Sequence, residues 1–284
     1  MAYTDEQVGS GIIDAATISA AGTTRVYFSR FGRAAWRLVQ AIIVPLIILA
    51  LWAENSHFGW ISSRILPAPS DIVNTFEGMV ASGDIGSNLG ASLLRVLEGF
   101  LVGATLGLGL GVSMGLSDAV ETWIGPLFRF VTQIPTLVWI PLMMQLLGID
   151  EVLKLVVMAK ACSIPITMTT SEGIRNIPKK YLEVGQVLSL PRHLLLTKII
   201  LPGALPSIFN GLRQGIAHVW ISLVIVEMMA STNGVGYLMS WARTLFQLDE
   251  VIVCMILIGV IGFTLDFGLR RVETRLLHWR EGSA

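Results

Sequence analysis

Charge is what this sequence has least of. Asp, Glu, Lys and Arg make up 14% of its 284 residues, against about 25% in an ordinary globular domain. The 20 basic and 20 acidic residues cancel, so the balance gives no electrostatic case for a nucleic-acid partner. Cysteine is nearly missing as well. Cys162 and Cys254 both fall in apolar runs, without His or carboxylates at metal-ligand spacing. They read as two packed thiols in separate segments rather than a redox or metal pair. His57, His193, His218 and His278 are scattered without metal spacing, and no Ser-His-Asp set or carboxylate pair can be assembled, so neither a metal site nor a catalytic constellation is expected. A phosphate-cradling loop needs Gly-Lys followed by Ser or Thr. The lysines here follow Leu153, Ala159, Pro178, Lys179 and Thr197. The chain is therefore expected to bind no nucleotide or other cofactor itself and to be no enzyme. Nor does its start join positive charge to an apolar core and a cleavage site, so no removable leader is expected.

What is there is apolar. Hydrophobic residues make up 53% of the chain and the mean hydropathy is +0.69, values of an all-helical integral membrane protein. Spans of about 20 residues predict six membrane helices, near residues 36–55, 89–116, 122–147, 152–171, 205–230 and 250–269. Residues 1–35 read as a polar tail and 36–284 as the membrane domain. Arg25, Arg30, Arg33 and Arg37 precede the first run, and Arg270, Arg271, Arg275 and Arg280 follow the last. Positive charge holds a flank in the cytoplasm, so both termini are expected inside. His57–Asn88, Gly148–Glu151 and Ser231–Asp249 then fall outside. Trp36, Trp60, Trp123, Trp241 and Trp279 lie near predicted span ends, as an interfacial belt would.

The segment from Asn176 to Gly203 interrupts this pattern. It carries Lys179, Lys180, Glu183, Arg192, His193 and Lys198 between two apolar runs. Each charge left in hydrocarbon would cost about 3 kcal/mol, so the segment sits in water. Pro178 suits the first turn of a helix with Asn176 before it. Ser189-Leu190-Pro191 interrupts that helix and starts a second, in which Leu194, Leu195, Ile199 and Leu201 pack while Arg192, His193 and Lys198 stay wet. Pro202 and Pro206 are expected to close the unit before the next span.

Glu183-Val184-Gly185, Ser189 and Ile199-x-Leu201-Pro202 resemble the EAA loop, E-A-A-x3-G-x9-I-x-L-P, of membrane subunits of bacterial ABC importers. Gly185 replaces the usual second Ala and Ser189 the usual Gly. The likeness extends over residues 60–280 through LPAPSDIV at Leu66–Val73, SLLRVLEGF at Ser92–Phe100, LGIDE at Leu147–Glu151, GIRNI at Gly173–Ile177 and LPGALPSI at Leu201–Ile208. It is similar to the permeases for alkanesulfonate, taurine and nitrate, and most to those for aliphatic sulfonates. The resemblance implies a type I importer permease in the bacterial inner membrane, with residues 172–204 as a cytoplasmic coupling loop. It implies a homodimer, two ATPase subunits that bind ATP and Mg, and a soluble binding protein that delivers a small anion. Glu183, Gly185, Ser189, Pro191, Arg192, Leu195, Ile199, Leu201 and Pro202 would couple the chain to the ATPase. Nitrate, bicarbonate or a thiamine-precursor pyrimidine are alternative cargoes. A stand-alone secondary transporter would usually show repeated halves, and none is visible.

Several span residues stand out. Gly99, Gly103, Gly107, Gly111 and Gly115 form a ribbon along the second span, for sliding or for tight static packing. Pro126, Pro135, Pro141 and Pro165 predict kinks, either lining a pathway or satisfied by neighbouring helices. Lys160, mid-span, is an anion-pathway candidate, a partner for Glu227, or a snorkelling side chain. Thr136, Trp139, Ser163, Trp220 and Glu227 join it as pathway candidates. Arg95 and Glu98 are expected to satisfy each other at helical spacing, and Arg129 and Arg213 to snorkel.

Overall fold

The structure is a computed structural model that describes residue 40, residues 43–55 and residues 58–276. The N-terminal tail, Trp36, His57, His278 and Trp279 lie outside the described residues. All regular structure among them is helical. Two units are distinguished, one ending at Pro69 and the other starting at Ser70.

In the first unit, helix α1 covers Ile43–Asn55. Its end is fixed by two side chains: the Asn55 amide oxygen accepts from the Ile61 N–H at 2.9 Å, and the Trp52 indole donates to the Pro67 carbonyl at 2.9 Å. The predicted first span, 36–55, falls partly outside the described residues.

The second unit runs α2 (Pro69–Ala81), α3 (Asp84–Leu116), α4 (Asp118–Thr132), α5 (Thr136–Leu147), α6 (Glu151–Arg175), α7 (Lys179–Val187), α8 (Arg192–Leu195), a π-helical turn at Leu196–Ile200, α9 (Leu201–Ala230), α10 (Val235–Thr244) and α11 (Leu248–Leu276). Four stretches are long and apolar enough to cross a membrane: α3, α6, Arg192–Ala230 and α11. The pair α4–α5 makes a fifth if counted as one broken span.

The core is the packing of α6 between α3 and α9. Val96 and Ala104 of α3, Met158, Cys162 and Ile166 of α6, and Ile216, Val219, Trp220 and Leu223 of α9 form one buried cluster. The glycine ribbon explains how closely α3 approaches. A Cβ at Gly107 would lie 2.9 Å from the Ser163 carbonyl oxygen, and one at Gly111 2.9 Å from that of Thr167. The Thr167 hydroxyl uses this proximity to donate to the Gly107 carbonyl at 3.2 Å. Each glycine abuts a successive turn of α6, so the two helices interlock closely along the ribbon. Both cysteines are buried and free.

Two expectations need correction. The third span is not one kinked helix. It breaks at Gln133–Pro135, and α4 and α5 meet at 95°. Pro126 and Pro141 lie within helices that continue past them, whereas Pro135 ends the helical run because the residue before proline is driven out of the α region. The second correction concerns Pro202. The helix after Pro191 does not stop before the fifth span but runs into it, giving one helix from Arg192 to Ala230. The π turn at Leu196–Ile200 makes this possible. Pro202 would clash with the carbonyl of Lys198 in a regular helix, and a wider turn at that point relieves the clash.

Candidate functional site

The elbow joins α6 to the fifth span, and its bend has a defined chemistry. α7 ends at Val187, and Ser189 follows in the left-handed region, with φ of 51°. The Ser189 N–H donates to the Gln186 carbonyl at 2.9 Å and the Leu190 N–H to the Gly185 carbonyl at 3.0 Å. These two bonds form a Schellman cap, and the left-handed residue of that cap is where glycine is favoured. Serine there carries a backbone penalty of about 1–2 kcal/mol. Ser189→Gly is therefore expected to raise the resistance of the elbow to proteolysis and Ser189→Val to lower it, with folding retained in the first. Equal digestion rates for all three chains would contradict the cap.

Inside the bend, Gly185 is buried. A Cβ there would sit 2.6 Å from Leu195 Cδ1 and 3.1 Å from Ile199 Cδ1. The two arms thus close on each other through these aliphatic tips, so Leu195 and Ile199 hold the elbow shut. Glu183, Arg192, Leu201 and Pro202 are exposed, as is Pro191. The outer surface of the bend is apolar at its tip: Val187 is 84% exposed and Leu188 63%. A groove of about 620 Å³ lies behind, lined by Asn176, Pro178, Tyr181, Lys198, Pro202 and Pro206 among others.

Of the pathway candidates, Thr136 lines a cavity of about 320 Å³ at the α4–α5 break. Pro135 and Ile140, Val157 and Ala161 of α6, and His218 and Ser222 of α9 share it. This cavity joins the third, fourth and fifth predicted spans. Lys160 packs its ammonium 5.2 Å from the centre of the Trp139 ring. Ser163 donates its hydroxyl to the Lys160 carbonyl at 3.0 Å, a local helical bond. Trp220 is buried at the α9–α11 contact, its indole donating to the Ile258 carbonyl at 3.1 Å.

Glu227 does not pair with Lys160, and Arg95 does not pair with Glu98. Both belong to a network at the end of the bundle opposite the elbow. Arg95 donates from Nε and Nη2 to the two Glu151 oxygens, each at 2.7 Å, and from Nη1 to Glu227 at 2.8 Å and to the Asn233 carbonyl at 3.1 Å. Nη2 also donates to the Asn233 side-chain oxygen. Glu227, 1% exposed, accepts further from the Ser92 hydroxyl at 2.8 Å and the Gly236 N–H at 3.0 Å. Gly234 lets the loop close over it. Its φ is 110°, and a Cβ there would collide with the Glu227 carboxylate. Lys154, also buried, completes the set by donating to Glu151 at 2.8 Å. Glu98 is exposed. Arg213 does not reach for an interface alone but pairs with Glu273 at 3.4 Å, and Arg129 pairs with Glu121. The sequence did hold a signal for the network: Ser92 and Arg95 share a helix face, and a lone Glu227 in an apolar run must find a cation at its own depth.

No group of three or more His, Cys, Asp or Glu able to hold a metal occurs among the described residues.

Comparison with known proteins places this geometry. Residues 103–278 match the family model described as binding-protein-dependent transport system inner membrane component. The SsuC protein of Escherichia coli strain K12, named as an aliphatic sulfonates transport permease protein, is 38% identical over 245 residues, covering 86% of this chain and 93% of the relative. The TauC protein of the same strain, named as a taurine transport system permease protein, is 31% identical over 253 residues, covering 86% and 92%. A crystal structure of an amino acid ABC transporter with histidines aligns over 70% of this chain and 98% of the other with a TM-score of 0.58 at 17% identity, a likeness of fold. With the helical bundle, the broken third span and the polar elbow in place, the chain belongs to the family of binding-protein-dependent transport system inner membrane components.

Proposed function

We propose that this chain is the membrane-spanning subunit of an ATP-driven importer that moves a small anion, an aliphatic sulfonate or taurine, handed over by a soluble binding protein. It works as a homodimer with two ATPase subunits, which supply ATP and Mg. It sits in the bacterial inner membrane with six spans (α1, α3, α4–α5, α6, the Arg192–Ala230 helix and α11) and with both termini and the elbow in the cytoplasm. The observation that carries this reading is the elbow. It is polar enough to need water, capped and packed into a rigid shape, yet presents Val184, Val187 and Leu188 to solvent. An exposed apolar tip on a rigid polar segment is a docking surface. Because α9 continues from the elbow without a break, a push on the tip is delivered to the fifth span as rigid-body motion.

Two variants separate docking from elbow shape. Val187→Asp, which touches only the exposed tip, is expected to abolish copurification with the ATPase while the permease still inserts. Leu195→Asp is expected to weaken copurification by opening the elbow, and to increase its proteolysis as well. If both chains copurify like the parent, the elbow is not the docking site. Cargo is tested in proteoliposomes holding permease, ATPase and binding protein. Uptake of taurine or ethanesulfonate, with nitrate and bicarbonate taken up far more slowly, supports the assignment. Faster uptake of nitrate or bicarbonate than of either sulfonate overturns it.

A further inference from the structure

Three buried hydrogen-bond donors among the described residues have no acceptor, the Thr170 hydroxyl and two that stand together. The Lys160 ammonium and the Trp139 indole N–H are both shielded from solvent by the chain itself, and neither has a hydrogen-bond partner among the described residues. They are also neighbours: the ammonium lies 5.2 Å from the centre of the indole ring. Every other buried cation of the bundle is matched, Arg95 with Glu151 and Glu227, and Lys154 with Glu151. Buried donors left unmatched are rare in folded proteins and call for a specific reason.

Position supplies it. Lys160 is the tenth residue of the 25 in α6, near the middle of the span. Its neighbour Ala161, together with Val157 and Ile164 one helical turn to either side, lines the cavity of about 320 Å³. Trp139 stands in the first turn of α5, and the residues beside it on that helix, Thr136 and Ile140, line the same cavity. The positive end of α5 therefore opens on the cavity too. A space of this size is at the small end of ligand pockets. Its walls are largely apolar, with Thr132, Thr136, His218 and Ser222 as the polar exceptions.

We infer that Lys160 and Trp139 form a closed anion site in the permease: the two donors rest against each other in this conformation and turn to the cavity when a sulfonate-type oxyanion enters. The cation–π contact is the resting partner of the lysine. A multi-oxygen anion at the cavity edge replaces it with charge-assisted bonds from both the ammonium and the indole N–H. The ammonium and the indole N–H are both donors only, so the pair offers no hydrogen-bond acceptor to a neutral donor-rich solute, and the ammonium repels a second cation. The α4–α5 break places the tryptophan on a short helix of its own, which packs on α6 and α9 through Ile140.

The site rests on the reading of the chain as an anion importer, and the experiment keeps the two apart. Proteoliposomes with ATPase and binding protein are loaded with ATP, and ethanesulfonate uptake and ATP hydrolysis are measured together for the parent, Lys160→Gln, Lys160→Arg and Trp139→Phe. Loss of one charge-assisted bond is worth about tenfold or more. Lys160→Gln and Trp139→Phe are each expected to lower ethanesulfonate moved per ATP by about tenfold. The apparent KM set by the binding protein stays put, and Lys160→Arg restores most of the uptake. Trp139→Phe removes the N–H and keeps a smaller aromatic face beside the ammonium, and ATP hydrolysis read alongside uptake separates loss of the donor from loss of packing. Unchanged transport per ATP in Trp139→Phe and Lys160→Gln overturns the site while leaving the importer intact. A parallel fall of uptake and hydrolysis, not restored by Lys160→Arg, also overturns it by assigning both residues to packing. If the parent itself moves only neutral solutes, the importer reading fails and takes the site with it.

Discussion

Glu227→Ala is expected to destabilise the purified protein by about 3–5 kcal/mol, the range for stranding one member of a buried ion pair. The magnitude follows from what the carboxylate holds. It is fully buried and accepts from Arg95, the Ser92 hydroxyl and the Gly236 N–H. Alanine leaves a guanidinium, a hydroxyl and a backbone amide turned toward a void, and water reaches them only if α10 lifts from α9. Glu151 does not compensate. It already binds the other edge of Arg95, and its side chain is 64% exposed, so its own contribution is screened. Glu151→Ala is accordingly expected to lose less than Glu227→Ala, its cost coming from the buried Lys154 ammonium left without its carboxylate. Thermal unfolding in a single detergent, followed by tryptophan fluorescence, measures both. A second comparison checks the cause: the double variant Arg95→Met, Glu227→Met should recover part of the loss, because removing both members of a buried pair is far cheaper than removing one. Equal midpoints for Glu227→Ala and Glu151→Ala would show that burial of this network does not govern the stability of the bundle.

The same network marks where sequence reading stopped. The elbow was legible because its signals are local. Five charges and a histidine between apolar runs, a proline at each helix start and a small residue at the bend all fall within 28 consecutive residues, and the Schellman cap at Ser189 realises that local instruction. Arg95 and Glu227 stand 132 positions apart, and nothing in either neighbourhood names the other. Spacing alone favoured Glu98, three residues away on the same helix. That partner lost because two carboxylates and both Asn233 oxygens converge on the guanidinium from α6, α9 and the following loop. The third span was half legible. Its prolines announced distortion, but Pro126 and Pro141 sit in helices that run on and only Pro135 breaks one. Which proline breaks a helix depends on whether neighbours satisfy the freed carbonyl, and that is a tertiary fact. The sequence marks Trp139 and Lys160 each as a pathway candidate but not as neighbours; their contact needs the 95° turn that brings α5 against α6.

Gly103→Leu is expected to abolish the folded bundle outright. A Cβ at Gly103 would overlap the Cβ of Cys162 and stand 2.8 Å from the Ala159 carbonyl oxygen. Overpacking against flexible side chains costs about 1–3 kcal/mol because the neighbours repack. Here the obstacle is backbone, and α6 cannot yield locally without separating from α3 along its length. Separation would also break the Thr167–Gly107 bond and open the cluster around Met158, Cys162 and Ile166. The ribbon predicts a gradient. Gly103, Gly107 and Gly111 each face a carbonyl oxygen of α6, so even alanine there should reduce the yield of monodisperse protein sharply. Gly115 meets only the Ile174 side chain, at 2.9–3.1 Å, and its alanine variant should survive. Gly109, on the same helix with open space around its Cβ position, is the control: Gly109→Ala should elute like the parent and gain slightly from better helix propensity. Size-exclusion chromatography of the five alanine variants reads the series directly. If Gly103→Ala and Gly109→Ala elute alike and melt together, the close approach of α3 to α6 is not what holds these helices in register.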